Sequence, residues 1–230
     1  MSHQEPRDRK LVEGFTKAGI MIDFDNLSAH CDFLVRGLLG ERERFEAYVR
    51  DRTEGLNQDE RDIFFDIHSY DYWRISDIFP ELQAASAFLM TYAVFEKNLN
   101  DICCYSNCQK DLDLSLKDFR GQGIERAKLY LSKVCGLSSV FEGVEWQEVL
   151  EISNLRNAIS HASGDLELDK SQHKKAFNYA NNNNKIKVVR CSHNVGTAHV
   201  ELTLDFVKKL CRKSQNIFGE TMFRNLQNFT

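Results

Sequence analysis

Helix-breaking residues, charge excess and regular ligand spacings are all scarce in this chain. Two prolines stand among 230 residues, Pro6 and Pro80, and Pro80 falls where one long helix is expected to end and another to begin. With 30 Lys and Arg against 34 Asp and Glu, the formal net charge is −4. That balance argues against a protein that coats nucleic acid through a broad basic face, but leaves room for a local site. No glycine-rich phosphate loop and no Gly-x-Ser-x-Gly elbow occurs. Sequence support is therefore missing for nucleotide hydrolysis, and for a hydrolase using Ser160 or Ser163 beside His161. The seven cysteines are odd in number and irregular in spacing, which fits reduced thiols better than a secreted disulfide framework. Cys103, Cys104 and Cys108 crowd one helix end, but no paired CxxC or HxxxH follows. They are read as small apolar side chains, and no metal site or cofactor is expected. No N-terminal apolar leader and no apolar run of membrane-spanning length is read, so a cytoplasmic protein without membrane contact is expected.

What the chain does contain is helical periodicity. At 42% hydrophobic and 28% charged, it has the composition of a soluble domain able to bury a proper core. Ile20, Phe24, Leu27, Cys31, Leu34 and Leu38 follow helical spacing, as one long helix or as two separated near Gly37 and Gly40. The aromatic cluster of residues 59–79 could stack bases but is read as core or dimer packing. A strongly apolar helix from Pro80 to about Cys104 is expected at the centre of a bundle, then a helix from Ile124 to Val134. Lys170 to Tyr179 reads as helix, and the runs beginning at Lys185 and His199 read as a small hairpin around Gly196. Thr203 or Asp205 could cap a last helix reaching about Asn225. The expected organisation is an N-terminal helical segment over residues 1–79 packed on a domain over residues 80–230, all-α apart from the C-terminal β-hairpin.

The densest chemistry lies in Leu155-Arg156-Asn157-Ala158-Ile159-Ser160-His161. Ile152, Leu155, Ile159 and Ala162 recur at helical steps, predicting an amphipathic helix over about 145–162 with Gly164 as its stop. Asn157 and His161, four apart, stack on the side opposite that stripe. Arg156 is about 140° from His161 around the helix and reaches the imidazole only through its long side chain. A guanidinium can grip two phosphate oxygens, and an imidazole can take or give a proton near neutral pH. An amide between them can fix a tautomer. These are the parts that RNA cleavage by internal transesterification needs.

Arg156-Asn157, three residues, then His161 resembles the Arg-polar-x3-His signature of HEPN domains, a helical family that includes many metal-independent endoribonucleases of prokaryotic defence and toxin systems. Leu82 to Cys104, with Tyr92, Phe95, Glu96 and Leu99, is similar to the helix that precedes the signature helix in such proteins. Lys117-Asp118-Phe119-Arg120-Gly121-Gln122-Gly123 and the residues through Ala127 resemble a linker and helix start of one bacterial subgroup. The resemblance covers about residues 80–225. It implies a HEPN-like bundle, an RNA substrate, catalytic Arg156, Asn157 and His161, supporting Glu96 and Ser160, a homodimer joining two such sets, and a cognate antitoxin or regulator. Glu96 has a plainer reading as a solvent-facing carboxylate or a partner of Lys97. The rival to catalysis is a noncatalytic HEPN module that binds RNA or protein.

Overall fold

Apolar residues three and four apart decide how the first helix packs. In the computed structural model, which describes residues 6–110, 114–190 and 196–228, α1 runs over Pro6–Thr53. It buries Ile20, Phe24 and Cys31 and rests Leu27 and Leu34 on the same core. Of the two alternatives left open, the single helix is the one formed. Gly37 and Gly40 each cost a helix about 1 kcal/mol against alanine, and packing of α1 on the bundle outweighs that loss.

A tight turn at Gly55 (φ 80°) reverses the chain. The Asn57 side chain accepts from the Glu60 N–H at 3.0 Å, and Glu60 accepts from the Asn57 N–H at 2.9 Å. This reciprocal cap starts α2, Gln58–Trp73. The helix does not end before Pro80 as the sequence suggested. Arg74–Ile78 forms a π turn in which the Phe79 N–H reaches back to the Arg74 carbonyl, and α3 continues over Phe79–Lys110. Pro80 thereby lies inside a continuous helix, and the wider π turn before it accommodates the residue that lacks an N–H.

Helix α3 is the centre of the bundle. Phe88, Leu99 and Ile102 are wholly buried along it, each contributing about 1.5–3 kcal/mol. It packs against α1, α4 (Gly123–Lys133), α5 (Val144–Ala162) and α7 (Leu204–Asn216). By length and composition, the helical stretch Gln58–Asn107 is also apolar enough to cross a membrane, contrary to the reading that no such run exists, and 33% of its apolar window is buried inside the protein. The aromatics of residues 59–73 are not in the core: no residue of α2 is buried. Instead Tyr48 and Phe45 of α1 meet Phe64, His68 and Tyr72 of α2 in ring contacts.

The rest of the chain is mostly helical with one small sheet. β1 (Asp165–Glu167), β2 (Ile186–Arg190) and β3 (Thr197–Leu202) form an antiparallel sheet in the order β1-β3-β2. The expected hairpin is β2 with β3, in register at Val188 and Val200. Strand β1 is additional: three residues with one buried side chain, Leu166, are too few to show a period of two. The segment 191–195, holding His193, lies outside the described residues. α6 spans Ser171–Asn181. Thr203 caps α7, accepting from the Phe206 N–H at 3.2 Å. A π turn at Ile217–Met222 then leads into α8, Phe223–Asn228, where one unbroken helix was expected.

Candidate functional site

Helix α5 forms because Trp146, Val149, Ile152, Leu155, Ala158 and Ile159 all bury on one side. Its end is set by two left-handed residues, the cap Ser163 (φ 50°) and Gly164 (φ 90°), so the helix closes at Ala162 with the expected stop glycine just past the cap. The Gly164 N–H donates to the Ala158 carbonyl at 3.3 Å, and the Gly164 carbonyl accepts from the Val200 N–H at 3.0 Å. Strand β3 therefore pins the last turn of α5, the turn that carries His161.

The motif residues divide into two stations on this helix. Arg156 is half-buried; its guanidinium lies 5.3 Å from the centroid of the Tyr92 ring and its Nη1 donates to the Asn157 side-chain oxygen at 3.0 Å. Among the described residues no carboxylate lies within ion-pair distance of it. His161 is exposed in the last turn and has no hydrogen-bond or ionic partner among the described residues. Ser160 is exposed too, its hydroxyl reaching only the Asn157 carbonyl at 3.5 Å. Arg156 and Asn157 are thus joined by a hydrogen bond, while His161, one turn on from Asn157, is bonded to neither among the described residues, and its offset of about 140° separates it from Arg156.

Tyr92 is the residue that sequence reading placed on the preceding helix without a role. Its hydroxyl donates to Ser153 at 3.0 Å while its ring carries Arg156. Burial pushes its pKa up and the Ser153 hydrogen bond draws it down, with Glu96 and Glu125 raising it and Arg156 lowering it. Glu96 follows Tyr92 by four residues on the same face of α3. Among the described residues it makes no hydrogen bond or ion pair with Arg156 or His161. Its Oε1 lies 3.1 Å from where a Cβ on Gly123 (φ 57°) would stand, so a bare glycine lets the start of α4 come up to it. The alternative partner fails as well, because Lys97 pairs with Asp23 and Asp101. The signal that could have found the cluster was spacing: Tyr92 and Glu96 share one face of α3, and Ser153, Arg156 and Asn157 share one face of α5.

Two further features flank this region. His199 on β3 lies between Asp165 (2.7 Å) and Glu81 (2.8 Å), fastening the sheet to α3. Burial works against its charge, yet the bonds and charges of Asp165 and Glu81 prevail and its pKa is raised. His173 is engaged as well, accepting from the Glu167 N–H at 3.0 Å. A cavity of about 230 Å³ between α3, α5 and α7 is lined by Tyr92, Phe95, Ile152 and Leu210, with the Glu148–Lys213 pair on its wall. None of Arg156, Asn157 and His161 lines it. Among the described residues no three His, Cys, Asp or Glu side chains gather to hold a metal ion. No family model, curated protein or solved structure matches the chain.

Proposed function

We propose that this chain is a cytosolic endoribonuclease of HEPN type, which cleaves RNA without a metal ion by attack of the 2′-hydroxyl on the adjacent phosphate, in bacterial defence or toxin–antitoxin biology. The observation that carries the reading is the state of Arg156: half-buried, held by an amide and an aromatic face, and without an acid partner among the described residues. A guanidinium placed this way keeps its charge and most of its five donors for an incoming anion. His161, exposed on the same helix, takes the proton from the 2′-hydroxyl or returns one to the leaving 5′-oxygen. The new bond joins the 2′-oxygen to phosphorus and the bond to the 5′-oxygen breaks, leaving a 2′,3′-cyclic phosphate and a 5′-hydroxyl. Asn157 orients Arg156, and Tyr92 holds it from below.

One chain offers one imidazole. Two copies apposed across this face would offer a base and an acid together, the arrangement that the HEPN resemblance implies. A second reading has a specific support: Arg156 is already engaged by Tyr92 and Asn157, as a packing residue of a noncatalytic RNA- or protein-binding module would be. Incubating labelled RNA with purified protein in EDTA separates the two. The proposal expects cleavage that His161→Ala removes. RNA bound but left whole by the wild type contradicts it and favours the binding module.

A further inference from the structure

The cavity between α3, α5 and α7 has a chemistry of its own. Its volume is about 230 Å³, and Phe95, Val149, Ile152 and Leu210 give it buried apolar walls. An apolar cavity of about 150 Å³ already takes benzene, so this one has room for a two-ring body with a short arm. It is smaller than the pockets of about 300 Å³ and more that hold drug-sized ligands.

The polar groups that reach the cavity call for donors. Thr91 and Ser214 are buried and line it. Each hydroxyl gives its proton to the carbonyl four residues back, Thr91 to Ala87 at 2.8 Å and Ser214 to Leu210 at 2.9 Å. What they turn to an occupant is acceptor oxygen. The neighbouring donors are taken: the Tyr92 hydroxyl donates to Ser153, and the Lys213 ammonium to Glu148, which also accepts from Tyr179. Among the lining side chains the exposed Asn216 alone keeps an amide donor without a partner among the described residues. Charge falls the same way. Glu148 and Lys213 offset each other, whereas Glu145, exposed in the first turn of α5, has the Thr221 hydroxyl at 2.9 Å and no cation among the described residues. The lining therefore carries one acid that nothing neutralises.

We propose that this cavity binds a small aromatic amine: a flat apolar body against Phe95, Ile152 and Leu210, a ring N–H for the Thr91 and Ser214 oxygens, and an ammonium group at Glu145. Tyr92 lines the same cavity and carries Arg156 on its ring, so an occupant touches the residue that positions the guanidinium. The inference does not rest on ribonuclease activity and holds equally for a binding module.

Three probes built on one indole ring test it: tryptamine with an ammonium group, tryptophol with a hydroxyl and indoleacetate with a carboxylate. Titration calorimetry and melting temperature are read on the purified full chain without RNA. Tryptamine is expected to bind and to raise the melting temperature, about two- to fivefold tighter than tryptophol, the gain of one exposed ion pair. Indoleacetate is expected to bind most weakly. Glu145→Gln, a change on an exposed side chain, is expected to bring tryptamine down to the affinity of tryptophol. Ile152→Phe is expected to fill the cavity and abolish binding of all three. No binding of tryptamine at millimolar concentration overturns the inference. So does tightest binding by indoleacetate, or an undiminished preference for tryptamine in Glu145→Gln, a variant that decides the matter even where Ile152→Phe fails to fold. A folded Ile152→Phe that keeps the wild-type affinity would place the ligand elsewhere and overturn it too. RNA cleavage on the same samples stands apart: binding without cleavage refutes the enzyme and leaves this site, and cleavage without binding does the reverse.

Discussion

Replacing Gly164 by alanine should loosen the end of α5 more than any other single methyl group added to a glycine of this chain. The residue stands at φ 90°, where an L side chain is strained, and a Cβ there would lie 2.7 Å from the Val200 carbonyl oxygen and 3.2 Å from the His199 ring. The oxygen is backbone in the middle strand and cannot swing aside. Left-handed strain costs about 1–2 kcal/mol, and shifting β3 to relieve the contact weakens the 3.0 Å bond from Val200 to Gly164, worth about 0.5–1.5 kcal/mol. The expected loss is roughly 2–4 kcal/mol, a drop in melting temperature of about 5–15 °C for a chain of this size. Gly19→Ala is the control. It is helical with nothing within 4 Å of the added Cβ, so alanine should stabilise by about 0.5–1 kcal/mol. Thermal and urea unfolding of both variants decide the matter. Gly164→Ala melting with the wild type, or Gly19→Ala losing as much as Gly164→Ala, would refute the reasoning that β3 pins the end of α5.

His161→Ala should reduce single-turnover RNA cleavage by about 10² to 10⁴ with an unchanged melting temperature, because the ring is exposed and has no partner among the described residues; a melting point lowered by several degrees would make it a structural residue. Arg156→Ala should slow cleavage by about 10² to 10³ and also lower stability modestly, since the guanidinium lies on Tyr92. Ile159→Ala, 7% exposed in the core, should cost roughly 2–5 kcal/mol by urea unfolding. The Glu81–His199–Asp165 station should make stability fall with rising pH. His199 has a raised folded pKa, so its contribution is full below the ordinary value of 6.5 and is lost as pH climbs through the folded value; with Asp165 80% exposed each pair is worth about 0.2–1 kcal/mol. Urea midpoints from pH 5 to pH 9 in the wild type and His199→Gln measure it, and equal slopes in the two would show that His199 is not the group responsible.

Long stripes were legible and local exceptions were not. The positions of α3, α5 and α7 follow from repeated burial every three or four residues, and of the two caps the sequence offered for α7, Thr203 and Asp205, it is Thr203 that accepts from the Phe206 N–H. The π turn before Pro80 was hidden because its signal is a compromise between helix continuity and one absent N–H. Strand β1 was hidden because Asp165–Glu167 owes its extension to pairing with β3, a partner about thirty residues further along the chain. The aromatics of α2 read as core or dimer packing, and none is buried within the chain; which side of α2 meets the rest of the protein depends on how the α1–α2 hairpin is placed, and no local pattern encodes that. At the site, spacing gave the offset between Arg156 and His161. The Tyr92 ring under Arg156 required knowing that α3 and α5 pack side by side.

The central claim is that the substrate's own 2′-hydroxyl is the nucleophile, and it is tested most directly by the ends and the sugar at the cut. An RNA oligonucleotide cleaved in EDTA should yield 2′,3′-cyclic phosphate and 5′-hydroxyl ends, and the same oligonucleotide with a single 2′-deoxy sugar on the 5′ side of the cut should resist at that position. Cleavage across the deoxy sugar, or products with 5′-phosphate ends, would contradict the account.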